Sequence, residues 1–190
     1  MAFISQNVEE KPRWLESEDH MNYSTNWRNR QSNDQGRLFE NLIDQGCIYY
    51  QHKGIAMIEK TPEPFRVKKI NKDGSMVVYP IGKAQPDYKG TLNDGRAVVF
   101  EAKRTTKDRI QQSVVTDHQA ACLDMHEHLG AIAGVCCMIR KTVGFVPWTD
   151  WINMKNKYGR KYMTESELQA YRVETPGFID FLGKWRGGAS

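Results

Sequence analysis

The sequence predicts an α/β or α+β domain, a mixed sheet flanked by helices, and three observations carry that expectation. Short runs rich in β-branched and aromatic residues are interspersed with segments of helical period. Asp-Gly pairs at Asp73-Gly74 and Asp94-Gly95 mark tight hairpins between such runs. The stretch Ile132–Ile139 is apolar almost throughout, the pattern of a strand buried on both faces. A chain of 190 residues is enough for one domain with a proper core.

Residues 1–31 are polar, mixed in charge and without clear period, so they are expected to form a loose basic and acidic arm ahead of a single domain over 32–190. A helix is expected from Ser32, whose spacing to Gln35 suits a capping box, to a stop at Gly46. Leu38, Phe39, Leu42 and Ile43 form its apolar face and Glu40 lies on the flank. Strands follow around Ile55–Ile58 and Phe65–Ile70, separated by Thr61-Pro62-Glu63-Pro64, and Asn71-Lys72-Asp73-Gly74 turns the chain back through Met76–Tyr79. A second hairpin occupies 87–103. Thr116 then caps a helix over 117–129 that Gly130 stops, the buried strand Ile132–Ile139 follows, and Val143–Val146 returns after a tight turn. The last third adds helices near Thr149–Asn156 and Thr164–Ala170, the second with Thr164 and Glu167 at capping-box spacing.

Charge balance alone says little, with 27 Lys+Arg against 23 Asp+Glu for a net +4. Its distribution says more. Residues 1–20 hold two bases and five acids, a net −3, which leaves +7 on the remainder. Basic groups cluster at Arg28, Arg30 and Arg37, at Lys68, Lys69 and Lys72, at Lys103, Arg104, Lys107 and Arg109, and from Lys155 to Lys161. Interleaved with Trp27, Trp148, Trp151, Tyr158 and Tyr162, they suit a phosphate backbone, although each cluster is also compatible with ordinary solvated surface. Cys47, Cys122, Cys136 and Cys137 include no CxxC and read as buried thiols of a reducing compartment. His126 and His128 are spaced two apart and diverge around a helix, so they do not form a ligand pair. No apolar stretch approaches the roughly 20 residues of a membrane span and no charged-then-apolar leader opens the chain, so a soluble intracellular protein is expected.

The most informative segment is Pro86-Asp87-Tyr88-Lys89-Gly90 followed by Glu101-Ala102-Lys103. Folding about Asp94-Gly95 sets Asp87 opposite Glu101. Strand alternation gives Glu101 and Lys103 one face, with Val98, Phe100 and Ala102 on the other. Two carboxylates beside an amine form a seat for a hard divalent cation, which takes one or two protein carboxylates and completes its shell with water and phosphate. The alternative is a solvated strand face with cross-strand pairs worth a few tenths of a kcal/mol. Ala97-Val98-Val99-Phe100, apolar on both faces, argues that the acid ends a buried strand, and the chemistry to expect is phosphodiester hydrolysis.

These residues resemble the RecU-type Holliday junction resolvases of the PD-(D/E)xK nuclease superfamily. The likeness runs from about Arg30 to Asp180. It rests on Gly36-Arg37-Leu38-Phe39-Glu40, Tyr49-Tyr50, Ala56-Met57-Ile58-Glu59-Lys60-Thr61-Pro62, Asp87-Tyr88-Lys89-Gly90, Phe100-Glu101-Ala102-Lys103, His118-Gln119 and Asn156-Lys157-Tyr158-Gly159-Arg160-Lys161. The resemblance implies a restriction-endonuclease-like core with a protruding stalk, here about 68–84. It further implies a homodimer that binds four-way junctions and nicks two opposed strands with Mg2+, or with Mn2+. Asp87 and Glu101 then match the metal-ligating acids, the Ala102 carbonyl a further ligand, and Lys103 the amine that orients water or stabilises phosphoryl charge. Glu40 matches an acid near the metal and Gln119 a polar residue of the same pocket, although Gln119 also has the spacing to close a capping box with Thr116. Arg28, Arg30 and Arg37 match a DNA-gripping segment, and Lys68, Lys69, Lys72 and Arg104 complete the expected DNA contacts. A bacterial or phage-infected cytoplasm and partner recombination proteins are also implied. The chain departs from the family in Gln85-Pro86, where hydroxyl residues usually precede the first acid, and in a shorter stalk. Two rivals stay open: another endonuclease of the superfamily acting on duplex or branched DNA, and a non-catalytic junction-binding or annealing protein.

Overall fold

The computed structural model describes the backbone of residues 19–62, 65–80 and 85–185 and, within these, the side chains of 34–62, 65–79 and 85–185. Two units are distinguished, Met1–Leu38 and Phe39–Ser190. Residues 1–18, including most of the expected acidic arm, and the side chains of Arg28 and Arg30 lie outside the described residues.

Helix α1 spans Asp19–His52, so it starts well before the expected Ser32 and passes the expected stop at Gly46. Neither proline nor glycine interrupts Asp19 to Gln35, and the polar composition of that stretch hid a helix that its backbone tolerates. Gly46 is there for packing. A Cβ at this position meets the Ile179 carbonyl oxygen at 2.5 Å, so only glycine admits the irregular C-terminal segment that passes there.

From Phe39 onward the chain builds a five-stranded mixed sheet. Strands β1 (Ala56–Lys60), β4 (Tyr88–Leu92), β5 (Ala97–Thr105), β7 (Ile132–Ile139) and β8 (Thr142–Pro147) lie in the order β1-β4-β5-β7-β8. All pairs are antiparallel except β5–β7, whose parallel register needs a crossover. The crossover contains β6 (Arg109–Gln111), a 3-10 turn and helix α2 (Asp117–His128). Helices flank the sheet, as expected.

Alternation along β5 divides the core in two. Val98, Phe100 and Ala102 pack with Phe39, Ile43, Cys47 and Tyr50 of α1 and with Ile179, Phe181 and Leu182. Val99 packs the other way, with Val135, Cys137, Leu123 of α2, Trp148 and Trp151. Gly90 is required by the close approach of β1. A Cβ there meets the Met57 carbonyl oxygen at 2.0 Å and the Ile58 Cα at 2.5 Å. Gly90→Ala is therefore expected to destabilise the protein by about 1–3 kcal/mol through forced displacement of β1, read as a lower urea midpoint with unchanged slope.

The segment expected as a stalk contains a separate two-stranded ribbon, β2 (Phe65–Ile70) and β3 (Met76–Pro80), with a bulge between Val67 and Lys69. The ribbon begins at Phe65, earlier than expected, and residues 81–84 lie outside the described residues. Asp73 organises its turn by accepting from the Ser75 backbone N–H and hydroxyl. The expected helix at 149–156 is two short ones, α3 (Trp148–Ile152) and α4 (Met154–Tyr158), and the last helix shortens to α5 (Glu165–Leu168) ahead of a 3-10 turn. The pairing of β6 with β9 (Tyr162–Thr164) was not legible in the sequence, because neither strand exceeds three residues. Among the described residues no helix is long and apolar enough to cross a membrane.

Candidate active site

The β4–β5 hairpin sets the site. Tyr88 pairs with Phe100, so the next position outward places Asp87 against Glu101, as the turn position predicts. Because β4 begins at Tyr88, the Ala102 N–H has no strand partner on that side, and it donates to Asp87 Oδ2 at 2.9 Å. The Asp87 carbonyl accepts from the Thr61 N–H at 2.8 Å, tying together the two chain segments that bracket the ribbon. The carboxylate of Asp87 is thus fixed at the base of the ribbon.

Glu101 shares its face with Val99 and lies fully buried beneath α2. Its Oε2 accepts from Lys103 Nζ at 2.8 Å and from Gln119 Nε2 at 2.7 Å. Lys103 Nζ also lies 3.6 Å from Asp87 Oδ2, so one ammonium bridges the acid pair. The second oxygen, Glu101 Oε1, is buried with no hydrogen-bond partner among the described residues. Burial first, and then the Asp87 charge, push the Glu101 carboxyl up to about 7 against the pull of Lys103. A buried carboxylate oxygen left open in this way carries a desolvation cost of about 1–3 kcal/mol or more unless a ligand meets it.

Gln119 closes the cap and contacts Glu101 at the same time. Its Oε1 accepts from the Thr116 backbone N–H and hydroxyl, closing the capping box of α2, and this leaves Nε2 to face Glu101. The cap fixes the amide in the orientation the carboxylate needs.

Glu40 sits differently. It pairs with Lys60 at 2.6 Å on the sheet face that α1 covers, and neighbouring Tyr88 donates to Asp44 at 2.7 Å. Among the described residues no three His, Cys, Asp or Glu side chains converge tightly enough to hold an ion by themselves. The Lys60 ammonium pKa is raised chiefly by its bond to Glu40 and further by Asp44 and Asp87, so it links the two acid groups electrostatically. Burial and donation to Asp44 push the Tyr88 hydroxyl well up. Lys60, Asp44 and Tyr88 were not singled out as site residues from sequence, because the β1–β4 register that sets Lys60 opposite Tyr88 joins distant segments. Cys122 is only half-buried, contrary to the buried reading, and what burial it has, followed by the Glu101 charge, raises its thiol pKa.

The expected DNA contacts divide. Lys68, Lys69 and Lys72 are exposed on the ribbon, with Lys68 Nζ 5.1 Å from the Tyr79 ring centroid. Arg104 follows the parity of Ala102, on the sheet face opposite Glu101 and Lys103. Arg37 is exposed and belongs to the first unit.

The model of a family described as Recombination protein U (RecU) matches residues 34–184. A protein named Holliday junction resolvase RecU from Lactobacillus delbrueckii subsp. bulgaricus is 28% identical over 156 residues, covering 74% of this chain and 72% of the relative. Its namesake from Bacillus pumilus is 28% identical over 163 residues, covering 78% of each chain. The solved structure of Archaeoglobus fulgidus Hjc, a Holliday junction resolvase from an archaeal hyperthermophile, aligns with a TM-score of 0.44 at 15% identity, over 72% of this chain and 89% of that one.

Proposed function

The chain belongs to the Recombination protein U family, and from that premise we propose that it is a structure-selective endonuclease resolving four-way DNA junctions by cation-dependent phosphodiester hydrolysis. The observation that carries the reading is the buried Glu101 Oε1 without a partner, beside Asp87 and Lys103. Such an oxygen fits a hard cation, and two carboxylates suit Mg2+ or Mn2+, whose remaining ligands are water and phosphate. Asp87, Glu101 and the Ala102 carbonyl would hold the ion. When bound, it would supply Lewis-acid stabilisation of phosphoryl oxygens and lower the pKa of water.

The protein's own groups do the rest. The Ala102 N–H fixes the Asp87 carboxylate, and Gln119 fixes that of Glu101, so neither must reorganise during the reaction. Lys103 presents three donors beside both acids, placed to orient the attacking water or to take up charge that develops on the phosphate. Glu40, held by Lys60, adds negative field from the α1 side. No nucleophilic side chain is needed.

The ribbon, with exposed Val67, Ile70, Met76, Val78 and Tyr79 and its lysines, is the segment we assign to the junction centre. Two copies related by a dimer axis would address two symmetric strands. Phosphate contacts would dominate affinity, giving a steep loss of binding with salt. The experiment compares nicking of a synthetic four-way junction with nicking of its component duplexes, with and without Mg2+. Paired, Mg2+-dependent nicks in the junction are expected. Equal rates on the duplexes would replace this reading by that of a general endonuclease.

A further inference from the structure

Asp87 lies between two exposed side chains that bond to one another across it. Along 85–89 burial alternates: Pro86 and Tyr88 are buried, Asp87 is half-buried, and Gln85 and Lys89 are exposed. Residues 85, 87 and 89 therefore share one side of the chain. Lys89 Nζ donates to Gln85 Oε1 at 2.8 Å, so the bond spans Asp87 and draws the ammonium back toward the acid. The strand register fixes which side this is. Lys89 stands opposite Val99 of β5, and Val99 packs beneath α2 on the face of Glu101. Cys122 of α2 senses both groups: burial and the Glu101 charge raise its thiol pKa, and the Lys89 charge lowers it. Along the hairpin, Lys103 and Lys89 thus flank the acid pair on opposite sides, each two residues from it, roughly 7 Å along the strand.

Lys89 differs from its neighbours in that no carboxylate holds its charge. Lys103 is held by Glu101 and Asp87, and Lys60 by Glu40. Lys89 instead meets a neutral amide, which takes one of the three donors an ammonium carries. Glu59 is the acid opposite it on β1; it is exposed and forms no ion pair with Lys89 among the described residues. With both acids ionised, Asp87 and Glu101 outweigh Lys103 by one charge, so an approaching phosphate is repelled until a cation is bound. A second ammonium beside the pair offsets that repulsion. Exchanging the Gln85 amide for a phosphate oxygen gives Lys89 a charge-assisted bond, roughly twice as strong as a neutral one. Resting on the nuclease reading above, we infer that Lys89, poised by Gln85, binds a phosphate of the cleaved strand adjacent to the one that is cut. Lys103 serves the scissile phosphate from one side of the acids, and Lys89 holds its neighbour on the other. The pair of ammoniums sets the register of the strand over Asp87 and Glu101.

The test uses the full chain and four-way junctions carrying a single methylphosphonate, which removes one phosphate charge, at successive positions around the mapped cut. Neutralising one phosphate beside the cut should lower the native nicking kcat/KM by about tenfold. Lys89→Met should lose about tenfold on the unmodified junction and nothing further when that same phosphate is neutralised. Its response to methylphosphonates elsewhere should match that of the native chain. Lys89→Arg should restore both the rate and the sensitivity at that phosphate. In junction binding without metal, Lys89→Met should reduce the slope of log affinity against log salt by about one. Melting curves confirm that both variants fold. Losses that multiply at every position, or a Lys89→Met protein with native nicking and native salt slope, would overturn the inference. Either result leaves the nuclease reading standing and returns Lys89 to a solvated strand face shared with Glu59. Absence of junction nicking by the native chain would remove both.

Discussion

Glu101→Gln is expected to lower junction nicking by about 10³-fold or more while making the cation-free protein more stable. Both effects come from one oxygen. Glutamine retains an acceptor for Gln119 and Lys103, and its NH2 replaces the buried Oε1 that now has no partner among the described residues, so a cation loses its ligand and the fold loses a buried charge. The pH dependence fixes the sign. The Glu101 pKa of about 7 in the folded protein lies above its ordinary 4.5. Between those values the folded state binds more protons than the unfolded chain, so stability falls as pH rises through that window and stays low above it. A shift of that size corresponds to a loss on the order of 3–4 kcal/mol at alkaline pH. Thermal melts of the cation-free protein should show this decline, and Glu101→Gln should flatten it. A variant that melts lower than the native chain at pH 8 would show that the buried charge is compensated in some other way.

Lys103→Met carries the second large effect, a loss in kcat of about 10²–10³-fold with junction affinity held within about tenfold, since a single charge contributes little to a contact made with many phosphates. The ammonium bridges Glu101 at 2.8 Å and Asp87 at 3.6 Å and pulls the Glu101 pKa down against burial and the Asp87 charge. Removing it raises that pKa further. The acid limb of the residual pH–rate profile should therefore move to higher pH, because cation binding needs Glu101 ionised. A lower rate with an unmoved profile would mean that Lys103 acts on the phosphate alone.

Much of this site was legible in the sequence because a hairpin converts spacing into register. Asp94-Gly95 fixes the turn, and the turn fixes Asp87 against Glu101. The double role of Gln119 was legible as two competing readings, cap and pocket residue; only coordinates show that the cap orients the amide for the pocket. What stayed hidden has physical causes. Helical period fails in the polar stretch ahead of Phe39, so the start of α1 was missed. A glycine inside a helix looks like a stop when the carbonyl it admits, that of Ile179, lies more than a hundred residues away. The Lys60–Glu40 pair depends on packing of α1 against β1 and β4, which no local pattern encodes.

The measurement that bears most directly on the account is calorimetric titration of Mn2+ into the native chain, Asp87→Asn and Glu101→Gln at pH 6.5 in buffers of different ionisation enthalpy. The account predicts cation binding by the native chain with net proton release, as Glu101 gives up its proton, and binding weakened at least about tenfold in both variants. Equal Mn2+ affinity in all three proteins, or binding with no proton release, would contradict it.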